Sequence, residues 1–570
     1  MTYDYDAIVV GAGHNGLICA AYLARAGMNV AVIEARDQVG GCASTVSTLG
    51  ARVNICNCDH LTFRTTPIAD ELGLADHGLR YLDVDPAQLS LSWTGEAPWL
   101  FHHDVDATLD SLRRTHPGEV DGYRRYVKAA RPVAELVLEL AAAPPTLPAV
   151  ARKVLDRRAR GTRTLLAWSR RTAVDVLRSF FRSDALLGPV LTTGPAVWGI
   201  TGEHPHTGMA ALGYAMKHVA RVGRPEGGSG RLTDAVAASF TAAGGTVRCG
   251  RRVTAILVDG ERVSGVELDD TATPGDPGQG FIEPAGPGQG DGTQGRGERD
   301  EVGRGRSPGS RGERDEVGRG RPPGSRGGRG REVLRAPVVV VACDPRRALL
   351  EWLRTPPAGA AEMLRRWADR PVHEGYESKV DAVVADPPRF PGFDGDLVPT
   401  AIVAPTVTGL TAAHRTMTEG RVAAQPPMFV NVPSVLDPTM RVPGPDGGHV
   451  LSLEVLSTPY SLHRGWAGSL EPERWLEALG SLAEPGFLDG VRRFRVMTPP
   501  DYERDFSLAR GHAPSFAGGP LAALLGRDKE LTRYRTPVRG LFLSGAATFP
   551  GAGVWGASGR NAAHVVLADL

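Results

Sequence analysis

The residues Gly11-Ala12-Gly13-His14-Asn15-Gly16 follow the apolar run Ala7-Ile8-Val9-Val10 and open the apolar-rich stretch from Leu17 to Ala26. In a strand-turn-helix unit this spacing has a definite chemistry. Gly11 permits the tight turn, Gly13 lets backbone approach a pyrophosphate, and Gly16 lets the helix lie against the strand, so the first helical N–H groups face phosphate oxygens. The run MNVAVIEAR supplies a second strand ending at Glu34, eighteen residues past Gly16. A carboxylate there accepts hydrogen bonds from ribose hydroxyls and disfavours a 2′-phosphate. A Rossmann-type dinucleotide site is expected.

The next residues bear on which dinucleotide. EARDQVGGCAS resembles the ExRxxxGG continuation of flavoproteins with two dinucleotide-binding domains, in which Ala35, Arg36 and the Gly40-Gly41 turn extend the phosphate cradle, with Cys42 a small residue buried beside it. The segment RGLFLSGAATFPGAGVWGASGRNAAHVVLADL again reads as strand, Gly-rich turn and helix. It resembles the closing flavin motif of that superfamily, which implies that Gly545, Ala546, Gly553 and Val554 lie at the isoalloxazine ring. A helix N-terminus there stabilises negative charge developing at N1 and the C2 carbonyl on reduction. Residues 225–256 resemble the mid-chain segment whose strand residue, here Val253, lines the adenine side. VVVVACDP, with Ala342, resembles the strand leading back from it. FAD is the implied cofactor. A single GxGxxG argues against a second, nicotinamide-type unit, so oxygen or a quinone is the expected electron acceptor.

YESKVDAVVADPPRF, VPSVLDPTM, HVLSLEVLSTPYSL and VMTPPDYERDF resemble the phytoene-desaturase-like branch of the amine oxidase superfamily. The opening GAGHNGL is similar to that of its pyridine nucleotide-disulfide oxidoreductase domain 2-like members. The resemblance implies an α/β fold: a Rossmann-like, glutathione-reductase-type, discontinuous FAD-binding domain at 1–85, 215–350 and 505–570, and an α+β substrate-binding domain at 86–214 and 351–504. It also implies a dehydrogenase or desaturase that moves a hydride from a large, mainly apolar substrate, an isoprenoid or a specialised metabolite, to flavin N5. Positioning in a dry pocket supplies most of the rate in such chemistry, so no acid/base pair is required. The alternatives are an oxygen-dependent amine or alcohol oxidase, a redox-neutral flavin isomerase, and a non-catalytic flavoprotein scaffold.

Candidate catalytic residues are few. Trp555, after Gly553-Val554, either narrows the space over the ring or packs at a domain seam. His512 is a candidate base. Lys379 either holds a water against the ring or is a surface lysine. Trp198, His204 and His206 are candidate cavity lining. Cys56, Cys58 and His60 do not have a zinc spacing, so no metal is expected. Buried packing or a role beside the flavin, covalent attachment included, remain for them.

A formal charge of +1 with 42% hydrophobic residues points away from nucleic acid and toward a small molecule as partner, which the resemblance implies is apolar. Six scattered cysteines fit a reducing, cytoplasmic compartment. No apolar run reaches the ~18 residues of a membrane span. Residues 151–182 carry ten Lys or Arg among apolar residues, as an amphipathic lid helix does or a stretch lying peripherally on a membrane. Residues 271–331 form a low-complexity insert expected to be disordered, with RGERDEVGRGRSPGS duplicated as RGERDEVGRGRPPGS. Its flanks read as a hairpin edge, so an enzyme should keep flavin and turnover when it is deleted. A scaffold should instead lose its associations, as a pull-down would show.

Overall fold

The computed structural model describes residues 2–56, 59–269, 331–444, 447–516 and 519–570. The expectations placed on the insert and on Cys58 fall outside these residues, except at Arg331.

Five short, wholly parallel strands form the first sheet, in the spatial order Leu541–Leu543, Val338–Val341, Ala7–Val10, Val30–Ile33, Thr246–Arg248. The strands Ala7–Val10, Val30–Ile33 and Val338–Val341 are apolar at every position and buried throughout, as strands covered on both faces must be. One face carries the helix His14–Arg25, flanked by the helices Gly230–Ala242 and Ala557–Leu567. The other carries a three-stranded antiparallel sheet, Arg252–Asp259, Arg262–Asp269 and Glu332–Arg335. Leu268 pairs with Glu332, so the chain leaves and re-enters this sheet across one antiparallel ladder around residues 270–330.

A second, seven-stranded mixed sheet draws on Gln88–Ser92, Trp99–Phe101, Gly375–Val384, Thr400–Ala404, Met428–Asn431, His449–Pro459 and Val491–Met497. Beside it lies a helical region with its own aromatic core of Tyr123, Tyr126, Trp168, Phe181 and Tyr214. The basic stretch does not form one amphipathic helix. It breaks into Leu147–Asp156, Thr162–Trp168 and Ala173–Arg178, with Gly161 at φ +79° before the second and the Thr172 hydroxyl capping the third. Leu147 and Leu155 remain largely exposed on the first of these. Among the described residues no helix is long and apolar enough to cross a membrane.

Candidate functional site: two helix ends and a buried carboxyl row

The ends of three adjacent strands are shaped by two glycines. Ala342, just past Val338–Val341, sits between Gly11 at φ +101° and Gly545 at φ +99°. A Cβ at either position would lie 3.3 Å from the Ala342 carbonyl oxygen, and both backbones occupy the region that favours glycine. Gly16 is more constrained still, because a Cβ there would lie 2.1 Å from the Gly11 carbonyl oxygen. At Gly13 a Cβ would meet nothing within 4 Å: the turn opens onto free space, where a phosphate has room to approach.

Gly13 is also the N-cap of His14–Arg25, and no side chain caps that helix. The helix Ala557–Leu567 likewise starts uncapped, from Gly556. The two starts are tied together: the Asn15 side-chain oxygen accepts the Gly559 N–H at 3.2 Å, and a Cβ on Gly559 would meet the Asn15 carbonyl at 2.2 Å. His14 reaches the Gly553 backbone, and burial pulls its imidazole down to about 4, so it is neutral at physiological pH. Two positive helix ends therefore point into one region, a donor set that suits pyrophosphate and an electron-rich ring.

Glu34 is buried at the end of its strand. Its two carboxylate oxygens accept the Ala12 N–H at 2.8 Å and the Arg36 N–H at 2.9 Å. Ala35 lies between these fixed points. The Arg36 guanidinium reaches Ser44 Oγ at 3.2 Å and lies 4.5 Å from the Phe506 ring centre. The Gly40 N–H donates to the Ala12 carbonyl, and a Cβ on Gly41 would lie 3.3 Å from Gly13 Cα. The GG turn thus packs directly on the phosphate loop. Val253 is buried in its antiparallel strand, two residues past the Arg251 N–H that donates to the Glu34 carbonyl. The Ala546 carbonyl accepts the Phe516 N–H, and the Val554 carbonyl accepts the Thr62 hydroxyl. An open glycine, two uncapped helix ends and a buried acidic residue between them fit FAD.

The remaining candidates are placed differently from one another. Trp555 is partly buried against a small cluster of Ala141, Ala523 and Phe549, with its indole 3.3 Å from where a Gly553 Cβ would stand. His512 stacks on His373 with ring centres 3.9 Å apart. Burial and the neighbouring His373 pull it down to about 3, which leaves it a weak base. Trp198 is half-buried near it, whereas His204 and His206 are exposed on the surface. Their segment turns outward between Gly202 and Thr207, with His206 at φ +67°. His60 is fully buried and neutral, with one ring nitrogen on Tyr81 and the other on Ser229, each at 2.7 Å. Both nitrogens are occupied, which leaves none for a flavin link. Among the described residues no cluster of three metal-ligating side chains occurs.

Lys379 is no surface lysine. It has no exposure, and Nζ donates to the Asn54 carbonyl and to Asp381 Oδ1 at 2.7 Å; the other oxygen of Asp381 takes Arg495 at 2.9 Å. Burial raises the Asp381 carboxyl, but Lys379 and Arg495 outweigh it and hold the group below its ordinary range. Removing Lys379 leaves Asp381 held by Arg495 and Ser452 but takes a charged donor from Asp381 Oδ1 and from the Asn54 carbonyl. Lys379→Met is therefore expected to cost about 1–3 kcal/mol, read as a lowered urea midpoint with unchanged slope.

The strand pairing shows what the sequence left unmarked. Glu377, Lys379 and Asp381 alternate onto one face of the strand Gly375–Val384, and Lys379 pairs across the ladder with Glu454. The Cys56 thiol lies 4.0 Å from Glu377 Oε1. Among the described residues Glu454 Oε1 has no hydrogen-bond partner although it is buried. Burial, reinforced by Glu454, pushes Glu377 well up. Burial raises Glu454 to about 7; Lys379 opposes this and Asp381 adds to it. From Gly13 the contacts run through Gly41, Cys42 and Cys56 to this carboxyl pair. The available signal was charge at period two in the strand Gly375–Val384 and one glutamate inside the otherwise uncharged run of His449–Pro459 after His449.

The site and sheet define a Rossmann-type, FAD-dependent oxidoreductase of the amine oxidase fold, and the comparisons with known proteins agree. Residues 9–70 match the model of the NAD(P)-binding Rossmann-like domain family. The fold is similar to that of cyclohexylamine oxidase from Brevibacterium oxydans, with a TM-score of 0.56 at 15% identity, covering 99% of this chain and 98% of that one. In sequence, too, the chain is similar to known oxidoreductases. It is 28% identical to pyridine nucleotide-disulfide oxidoreductase domain-containing protein 2 of Mus musculus, across 100% of this chain and 94% of that protein. It is 28% identical to a limonene dehydrogenase component of Castellaniella defragrans over 47% of this chain and 49% of that one. The lycopene-forming phytoene desaturase of Pantoea ananas is also 28% identical, over 46% and 52%.

Proposed function

We propose that this chain is an FAD-dependent dehydrogenase or desaturase acting on a large, mainly apolar substrate, with Glu454 as the group that receives the substrate proton. The observation that carries the reading is the buried Glu454 carboxyl, with one oxygen unpartnered and a proton affinity raised to about 7. FAD, when bound, supplies the acceptor for the two electrons that leave with the first hydrogen. The chain's own residues do the rest. The N-terminus at Gly13 and His14 would hold the phosphates, Glu34 would orient the ribose, and the start of Ala557–Leu567 would supply positive potential to the ring. Apolar strand residues exclude water around Glu454, and a carboxyl poised near neutrality suits proton uptake at physiological pH. The limonene dehydrogenase and phytoene desaturase relatives support an isoprenoid-like substrate class.

The test is anaerobic mixing of the FAD-loaded protein with a monoterpene, a long polyene, a primary amine and a primary alcohol. Flavin bleaching by a terpene or polyene, and recolouring by a quinone, is the expected result. Bleaching by the amine or alcohol alone, with peroxide formed one-to-one in air, would instead make the chain an oxidase. Turnover that needs pre-reduced flavin and no acceptor would make it an isomerase.

A further inference from the structure

We propose that Cys42 and Cys56 form a reversible thiol-disulfide site beside the dinucleotide loop, which exchanges with low-molecular-weight disulfides. This is independent of the substrate reading above.

Local chain geometry builds the pair. Cys42 sits in the single turn Gly41–Ala43 that follows the GG corner. The strands Thr45–Thr48 and Ala51–Asn54 then fold back as a hairpin with Thr45 opposite Asn54. The ladder runs one step further, because the Ile55 N–H donates to the Ser44 carbonyl at 3.0 Å. That register returns residue 56 beside the turn at 41–43 and brings the Cys56 side chain next to that of Cys42. Both cysteines are partly buried, neither fully enclosed. Cys19 is fully buried within its helix, and burial raises the thiols of Cys19, Cys249 and Cys343.

The two sulfurs are not equivalent. The Cys56 thiol supports charge on Cys42, and Arg36 adds to this, so Cys42 lies below the usual thiol range despite burial. Cys56 is pushed up by Cys42, by burial and by nearby Glu377 and Glu454. Such asymmetry separates a nucleophilic thiolate from a resolving thiol. Cys42 thiolate attacks one sulfur of a small disulfide, breaking its S–S bond and releasing one thiolate. Cys56 then loses its proton and attacks the Cys42 sulfur of the mixed disulfide, and the second small thiol leaves carrying that proton. The protein pair is oxidised by two electrons, and the small disulfide is reduced by two.

The experiment uses the full chain with FAD bound, exposed to graded ratios of oxidised to reduced glutathione, quenched in acid, alkylated and mapped by peptide mass. The expected product is a Cys42–Cys56 cross-linked peptide pair, two hydrogens lighter than its thiol form and reversed by dithiothreitol, while Cys19, Cys249 and Cys343 are alkylated. Cys56→Ser should trap a stable glutathione adduct on Cys42. Cys42→Ser should slow thiol loss at Cys56 at least about tenfold. Cys58→Ser should leave the link intact. Full alkylation of Cys42 and Cys56 at every ratio, or a link from either to Cys58 in its place, would overturn the proposal. The wild-type peptide map decides even if a variant fails to fold.

Discussion

Gly13→Val is expected to give a folded but colourless protein. Gly13 has φ −69°, which any residue adopts, and a Cβ there meets nothing within 4 Å, so the chain itself has no objection to a side chain. What the side chain would fill is the space through which phosphate reaches the open end of His14–Arg25. Losing two or three charge-assisted hydrogen bonds, each worth about 1.5–3 kcal/mol, should weaken FAD binding by at least about a hundredfold. The melting temperature of the cofactor-free chain should move little. Gly16→Ala should do the opposite, because its Cβ would lie 2.1 Å from the Gly11 carbonyl oxygen and force the helix off the sheet. Overpacking of that kind costs about 1–3 kcal/mol before any cofactor is considered. Flavin content and thermal denaturation of the two variants, measured side by side, separate a phosphate cradle from a merely tight turn.

Glu454→Gln is expected to lower kcat by about a hundredfold to ten-thousandfold while leaving FAD content unchanged, since it removes the proton acceptor and keeps the shape. In the parent protein kcat should rise with pH through about 7, as the carboxyl ionises. Stability should show the opposite trend. The folded chain keeps a proton on Glu454 that the unfolded chain releases near the ordinary carboxyl value, so stability falls as pH rises from about 4.5 to about 7 and then levels. The amide variant escapes that fall. It should match the parent near pH 4.5 and exceed it by up to about 3 kcal/mol above pH 7. A variant that is both slower and more stable at alkaline pH marks a group kept for function. Equal kcat in parent and variant would remove Glu454 from the mechanism.

The cofactor end of the molecule was legible because its signals are local. Gly11, Gly13 and Gly16 answer to backbone sterics within one turn, and Glu34 lies at a fixed distance along one strand-helix-strand unit. The closing helix at Ala557 was equally readable, although its tie to Asn15 spans nearly the whole chain. The carboxyl row was not, because its meaning lies in pairing. Lys379 faces Glu454 across a ladder joining residues far apart in sequence, and nothing near Lys379 distinguishes a solvated lysine from a fully buried one. The basic stretch misled for a related reason. Its composition is that of one amphipathic helix, but Gly161 and Thr172 break it into pieces, and Arg157 is drawn to Glu135 and Glu139 on a neighbouring helix. His204 and His206 share a segment with Trp198 yet turn outward.

The central claim is that two helix N-termini, drawn from opposite ends of the chain and tied at Asn15, hold one FAD. The most direct measurement is the absorbance spectrum of the purified protein, before and after acid precipitation, with flavin counted against chain. The expected result is the two-banded spectrum of oxidised flavin at one FAD per chain, with the flavin released into the acid supernatant. A colourless protein that takes up no FAD on reconstitution would contradict it.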